Sequence, residues 1–426
     1  MKMRKGAMFA ALMAGALALA GCGSSTASNG DGQSDKLATD IKGNVEITFW
    51  HAMVGDQEKT LKALTNEFMK KNPKIKVTLQ NQSTYDDLQQ KISATMQSPK
   101  NLPTITQAYS TWLTDAAADG QLVDLKPYIT SKNNNLTFDN WDDVLQGLRD
   151  SGKIDGKTYG MPFNKSTEVL WYNKTMFNEL GLKVPTTYEE LADASKKIEQ
   201  AKDIPGAGFD ALSNYYITYL KNEGQSFDKS LDVTGAKSTK AFNYYAKGVK
   251  DGYFRIAGTD KYFSGPFASQ KVGMYVGSSA GESFVKEGSA GKFEYAAAPY
   301  PAEYAMEQGT DIYMFSSASA EQRTAAYLYE KFLTSKDSQI TWALNTGYIP
   351  VRESAISDSK YADSGSAIAS ILSDATKNLF SGEVTSGTEQ ASDDAQKTLE
   401  TVLSGKGDVK SALKTLKPTF DSDWEQ

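Results

Sequence analysis

One cysteine, Cys22, and one histidine, His51, stand in 426 residues. No disulfide framework can form within the chain, and a cysteine- or multi-histidine metal site is excluded. A serine-histidine-aspartate triad would have to pass through His51. That residue follows an alternating segment with no serine elbow and no partner motif, so a structural or cleft-lining role is expected. Arginine is scarce: beyond Arg4 only Arg149, Arg255, Arg323 and Arg352 occur. The formal net charge of −6 lacks the clustered positive charge that nucleic acid demands. Past the N-terminus no apolar run approaches the roughly 20 residues of a membrane-spanning helix. No repeat of solenoid length is present. What the chain does have is 40% hydrophobic residues, enough for two domain cores.

The N-terminus reads Met-Lys-Met-Arg-Lys, then an apolar run, then Leu19-Ala-Gly-Cys22. A basic segment, a short apolar segment and small residues before a cleavage point make a secretory signal. The last four residues resemble the lipobox of bacterial lipoproteins, which implies cleavage before Cys22 and lipid on its thiol. Removing Lys2, Arg4 and Lys5, and no acid, takes the net charge from −6 to −9. Residues 22–43, rich in Ser, Gly, Asn and Asp, then form a flexible tether. The expected location is the outer face of a bacterial cell membrane, of Gram-positive type, with the body held near the bilayer.

The body opens with alternation. Val45, Ile47 and Phe49 oppose Glu46 and Thr48, which predicts a strand. Leu61, Leu64 and Phe68 follow at helical spacing, closed by Pro73. Ile75, Val77 and Leu79 alternate again, a helix is predicted over 84–96, and a third strand over 103–109. Strand, helix, strand, helix, strand is a parallel-sheet pattern. Further strands are predicted over 169–172, 271–276, 292–298 and 310–315. Thr187-Tyr-Glu-Glu190 reads as a capping box. Helices are predicted over 321–333 and through most of 366–416, with a Gly/Ser/Thr break at 381–388.

Several segments then carry a resemblance: Ile47-Thr-Phe-Trp-His-Ala-Met53, Tyr159-Gly-Met-Pro-Phe-Asn164 running into Val169-Leu-Trp-Tyr-Asn-Lys174, Val184-Pro-Thr-Thr-Tyr-Glu-Glu-Leu191 and Thr346-Gly-Tyr-Ile-Pro-Val351. In this order and spacing the chain resembles the extracellular solute-binding proteins of ATP-binding-cassette importers, the carbohydrate-type group that includes maltose-binding protein. Within it, Phe49-Trp-His-Ala-Met53, Pro162-Phe-Asn-Lys-Ser-Thr167, Ser278-Ser279 and Gly347-Tyr348 resemble the glycerol-3-phosphate-binding branch. The resemblance implies an α/β fold of periplasmic-binding-protein type II, two α/β lobes with a ligand cleft between them. Lobe 1 is expected over 44–165 and 308–364, lobe 2 over 166–307 and 365–426, with hinges near 164–167, 306–309 and 363–368. It implies a small-molecule ligand, the permease subunits of an importer as partners, a monomer, no cofactor and no catalysis. Glycerol-3-phosphate or a glycerophosphodiester is the favoured ligand, with a sugar or oligosaccharide as the alternative. One departure bears on that choice. The branch is expected to hold phosphate partly with a late arginine, and here the corresponding stretch is Leu379-Phe-Ser-Gly-Glu-Val-Thr-Ser-Gly387.

The candidate ligand-binding residues are Tyr85, Asp86, Ser166, Tyr215, Ser278, Ser279, Gly309 and Tyr348, with Cys22 as the lipid attachment point. Tyr85 and Asp86 open a predicted helix just after a strand end, where open α/β sheets place ligands. Asp86 equally reads as a helix-start carboxylate favoured by the dipole. Ser278 and Ser279 precede a helix, suiting a phosphate or hydroxyl cluster or an ordinary cap. Gly309 allows close backbone approach, and Tyr348 offers a flat wall with a hydroxyl. Ser166 sits in the first expected crossover, beside Lys165, which could supply the charge of the absent arginine. One of Tyr215 and Tyr216 is expected to line the cleft. Of the tryptophans, Trp112 and Trp171 have the best claim to do so. Two other classes compete: a lipid-anchored glycosidase, which needs a paired acid and carboxylate at set separation, and a ligand-free surface lipoprotein.

Overall fold

Eight strands of the chain meet in one sheet. The computed structural model describes residues 38–133, 135–382 and 384–425; Cys22 and the signal and tether region up to residue 37 lie outside them. The strands are β1 (Val45–His51), β2 (Ile75–Asn81), β3 (Ile105–Ala108), β4 (Lys153–Ile154), β5 (Lys157–Thr158), β6 (Gly160–Asn173), β7 (Met274–Ser278), β8 (Tyr295–Pro299), β9 (Ala305–Met314) and β10 (Leu379–Phe380). The main path runs β2-β1-β3-β9-β6-β7, with β8 beside β6 and β10 beside β9. β4 and β5 form a separate small hairpin. β1 pairs in parallel with β2 and β3, as the alternation with intervening helices predicts. The helix Gly55–Lys71 covers β1 with Leu61, Leu64 and Phe68, carries Asp56 and Glu58 in its first turn and ends on Lys70 and Lys71. Both charge placements favour the helix dipole.

β6 and β9 give the molecule its two-lobed form. Residues 160–167 of β6 pair antiparallel with β9, whereas residues 168–173 pair with β7 and β8. The far end of β9, residues 311–314, also pairs with β3. Both strands therefore pass from the lobe built on β1, β2 and β3 to the lobe built on β7 and β8. The sequence pattern shows only parts of each. Strand 169–172 extends back to Gly160, and strand 310–315 back to Ala305. Asn164, Lys165, Ser166, Thr167 and Glu168 are all buried, so this stretch has neither a wet nor an apolar face and shows no alternation. The predicted strands 271–276 and 292–298 shift toward the C-terminus, to Met274–Ser278 and Tyr295–Pro299. The capping box at Thr187 is half formed. Thr187 accepts from the Glu190 N–H, but the Glu190 carboxylate turns to Thr186 instead.

The second lobe holds an aromatic core. Tyr188, Tyr215, Tyr216, Tyr219, Phe242, Tyr245 and Phe254 are buried in one cluster. His51 is fully buried, with Nδ1 accepting from the Met53 N–H, and burial pushes its pKa down to about 4. It is a neutral packing residue.

Candidate ligand-binding site

A cavity of about 720 Å³ opens between the two lobes. Its first wall grows from the carboxyl ends of β2 and β3. Thr84 caps the helix Tyr85–Met96, accepting from the Asp87 N–H, and this sets Tyr85 at the cavity edge. The Tyr85 hydroxyl accepts from Gln107 Nε2 at 3.1 Å and Asn164 Nδ2 at 3.4 Å. Tyr109 and Trp112 lie in the turn after β3. Ring centres are 5.6 Å apart for Tyr85–Tyr109, 5.1 Å for Tyr109–Trp112 and 6.2 Å for Tyr85–Trp112, none of them stacked face to face. Such tilted aromatics leave faces free for a ligand's C–H groups. Tyr348 adds a buried fourth ring, stacked on Trp342 at 5.9 Å.

The opposite wall is polar. The helix Leu212–Asn222 turns Ser213, Asn214, Ile217 and Lys221 to the cavity, one stripe at helical spacing. Asp210 lies just before it, and burial pushes its pKa up to about 7, opposed by a hydrogen bond from the Phe263 N–H. Behind this wall Glu168 is fully buried. Burial, then the charge of Asp210, push its pKa up to about 8, opposed by the Asn214 side chain. Gln308, on the cavity, reaches it with Nε2 at 3.4 Å. The end of β10 and the segment after it close the far end with Phe380, Ser381 and Val384. Across the mouth Gln89 donates to Glu389 at 3.1 Å, joining the helices Tyr85–Met96 and Thr388–Leu403.

The crossing strands form the floor. Ser166 and Ser278 line the cavity and hydrogen-bond to each other at 3.0 Å, and Ser278 also caps the Ala280 N–H. Gly309 lines it too. Its φ is +94°, and a Cβ there would lie 2.2 Å from the Asn164 carbonyl oxygen. The tight crossing of β6 and β9 alone therefore requires glycine.

Five of the eight candidate residues thus meet on one cavity: Tyr85, Ser166, Ser278, Gly309 and Tyr348. Three do not. Asp86 is exposed to solvent and off the cavity, leaving it the role of a helix-start carboxylate. Tyr215 is fully buried in the second-lobe core with its hydroxyl on the Ala241 carbonyl. Tyr216 is buried beside it, bonded to Ser238. The cavity-facing stripe of their helix runs through 213, 214, 217 and 221, and both tyrosines fall off it. Ser279 is buried, with its hydroxyl accepting from the Thr167 N–H at 3.2 Å, so it braces the crossover. Trp112 lines the cavity, whereas Trp171 is a core residue whose Nε1 donates to the Ser278 carbonyl. Sequence reasoning missed Tyr109, Asp210, Asn214 and Glu307. Tyr109 carried the same signal as Tyr85, an aromatic at the carboxyl end of a parallel strand.

Lys165 does not offer a free charge. Its ammonium lies 2.7 Å from Glu307 Oε2 and 3.3 Å from Asp311 Oδ1. Burial works against that charge, but the two carboxylates outweigh it. None of Arg149, Arg255, Arg323 and Arg352 lines the cavity.

The family model described as "Bacterial extracellular solute-binding protein" matches residues 63–368. The chain belongs to that family. Among curated relatives, the sn-glycerol-3-phosphate-binding periplasmic protein UgpB of Rhizobium meliloti is 24% identical over 399 residues, covering 86% of this chain and 91% of the relative. UgpB of Shigella flexneri serotype 5b is 27% identical over 355 residues, covering 75% and 78%. Among solved structures, the sugar-binding protein MalE of Xanthomonas citri superposes with a TM-score of 0.79 at 20% identity, covering 89% of this chain and 98% of that one. UgpB of Mycobacterium tuberculosis, in complex with glycerophosphocholine, gives 0.77 at 20%, covering 90% and 99%. The fold of this solute-binding protein is therefore the two-lobed α/β fold of the periplasmic binding proteins. Among the described residues no helix is long and apolar enough to cross a membrane.

Proposed function

We propose that this protein is the solute-capturing component of an ATP-binding-cassette importer, lipid-anchored through Cys22 at the outer face of the cell membrane. It acts as a monomer, hands its ligand to permease subunits and performs no chemistry on it. The lobes divide at 165/166, 307/308 and 364/365, a reading supported by the change of strand partners along β6. The ligand-binding residues are Tyr85, Tyr109, Trp112, Ser166, Asn214, Ser278, Gly309 and Tyr348. The observation that carries the reading is the cavity itself, with three aromatic rings facing a wall of amide, hydroxyl and carboxylate groups. That pairing suits a small polyhydroxylated solute, whose C–H faces meet rings while its hydroxyls meet polar groups.

An uncharged saccharide or polyol fits this lining best. A phosphate monoester carries nearly two negative charges at neutral pH, and the cavity offers no arginine, a Lys165 already paired with two carboxylates, and Lys221 alone to meet them. A glycerophosphodiester, with a single negative charge, is the second reading, favoured by the relatives named for glycerol-3-phosphate and by the glycerophosphocholine complex. A thermal-shift screen of saccharides, glycerophosphodiesters and sn-glycerol-3-phosphate tests this. A true ligand at 100 times its Kd adds about 2.7 kcal/mol of stability. A chain that responds to none of these, or that hydrolyses one, would refute the proposal.

A further inference from the structure

β6 and β9 pair antiparallel with Lys165 opposite Gly309 and Thr167 opposite Glu307. Residues 307, 309 and 311 of β9 share one face of the pleat, the face that meets Lys165. A Cβ at Gly309 would lie 2.2 Å from the Asn164 carbonyl oxygen and 3.0 Å from the Lys165 Cα, so glycine lets the two strands run close there, and the Lys165 ammonium reaches both Glu307 and Asp311. Lys165 is 1% exposed and Asp311 2% exposed, so both are sealed in, but 13% of the Glu307 side chain remains open. That opening is on the cavity, which Glu307 lines. Its Oε2 is occluded and held by the Lys165 ammonium at 2.7 Å. Its Oε1 is not occluded and accepts no hydrogen bond from the described residues. One oxygen is thus clamped and the other is presented to whatever occupies the cavity.

The charge around it is one-sided. Lys165 is shared by two carboxylates; burial pushes the pKa of both Glu307 and Asp311 up, and its ammonium opposes that. Asp210, Asp228, Glu389 and Asp393 also line the cavity, against the single cation Lys221, whose ammonium sits over the Phe380 ring at 5.5 Å.

We propose that Glu307 is the specificity-determining residue of the cavity: its fixed, open carboxylate oxygen accepts hydroxyl groups of an uncharged polyol and turns away phosphate monoesters. A carboxylate oxygen takes charge-assisted hydrogen bonds from hydroxyls and repels an anionic oxygen, most strongly where water is excluded. Preorganisation by Lys165 means little ordering is needed when the ligand arrives. The inference rests on the cavity being the solute site.

The test is titration calorimetry of the full chain and its Glu307→Gln variant with maltose, maltotetraose, glycerophosphocholine and sn-glycerol-3-phosphate. The variant keeps the shape and loses the charge, and thermal unfolding confirms that it is folded. The expected result is that wild type binds at least one saccharide and that the variant binds it at least tenfold more weakly. The ratio of saccharide to sn-glycerol-3-phosphate affinity should narrow at least tenfold as well. Saccharide binding unchanged in the variant would overturn the role of Glu307 and leave the importer reading standing. Wild type preferring sn-glycerol-3-phosphate to every saccharide would do the same. Glycerophosphocholine binding alone, equally tight in wild type and variant, also removes Glu307 as the determinant. If the chain binds none of the four, the uncharged-polyol reading falls together with the inference. If the variant fails to fold, Glu307→Asp replaces it. That change retracts the open oxygen by one carbon, and undiminished saccharide affinity in it overturns the proposal.

Discussion

The first-lobe wall of the cavity offers three rings, Tyr85, Tyr109 and Trp112, that touch one another at 5.1 to 6.2 Å. The second-lobe wall offers Asp210, Asn214 and Lys221, with Glu168 buried behind. In the proposed function the first wall reads shape. A ring face accepts any flat array of C–H groups and tolerates changes in which hydroxyl points where. The second reads hydroxyl positions, because each buried donor or acceptor left unpaired by a wrong ligand costs about 1–3 kcal/mol. Affinity common to many solutes should therefore reside on the aromatic side of the cavity, and discrimination among them on the polar side and at Glu307 in the floor.

The largest expected effect lies beneath the polar wall. Glu168 holds its proton up to about pH 8 in the folded chain, whereas an unfolded glutamate releases it near pH 4.3. The folded state binds the extra proton in that window, so stability is full at acid pH and declines as pH rises from about 4 to about 8. Glu168→Gln should flatten this decline and stabilise the protein at pH 8 by on the order of a few kcal/mol. Melting temperatures from pH 5 to 9 check this, and parallel pH curves for variant and wild type would count against it. Asp210, whose pKa is near 7, leaves a shallower slope of the same sign.

Trp112→Ala strips the aromatic wall. It should weaken every bound solute by about 2 kcal/mol, close to thirtyfold, the order seen for aromatic anchors. Affinities for a series of saccharides should drop in parallel. Asn214→Ala on the opposite wall should cost about 1 kcal/mol and do so unevenly, reordering the series. If the two substitutions give the same pattern, the division of labour between the walls is wrong. The smallest effect is expected at the mouth. Gln89→Ala removes one part-buried hydrogen bond to Glu389, worth about 0.5–1.5 kcal/mol. It should mainly speed ligand release in stopped-flow measurements.

The same contrast explains what could be read from the sequence. Parallel strands with intervening helices are visible in residues 45–81 because β1 and β2 open by burying alternate residues, whereas β3 is buried on both faces and shows as a short run only. The crossing strands were legible only in part, since the buried polar run from Asn164 to Glu168 owes its environment to a partner strand 140 residues away. On the aromatic wall the carboxyl end of a parallel strand marks Tyr85, while Trp112 is named beside Trp171 with no positional reason; Tyr85 and Trp112 line the cavity. On the polar wall Tyr215 drew attention by its chemistry and lies in the core, while Asn214 next to it faces the cavity. One residue along a helix is a turn of about 100°, and only the packing of the finished lobe shows which face is wet. Glu307 was invisible for a related reason. Its role comes from Lys165, which reaches it across strands.

The proposed place of the solute is between these two walls. Titration calorimetry of wild type, Trp112→Ala and the double variant Trp112→Ala/Asn214→Ala with the tightest-binding saccharide tests it most directly. The expected result is one-to-one binding to wild type, about thirtyfold weaker binding to the single variant and no measurable heat with the double variant, all three proteins melting cooperatively. One-to-one binding of undiminished affinity to the double variant would place the solute elsewhere on the molecule and contradict it.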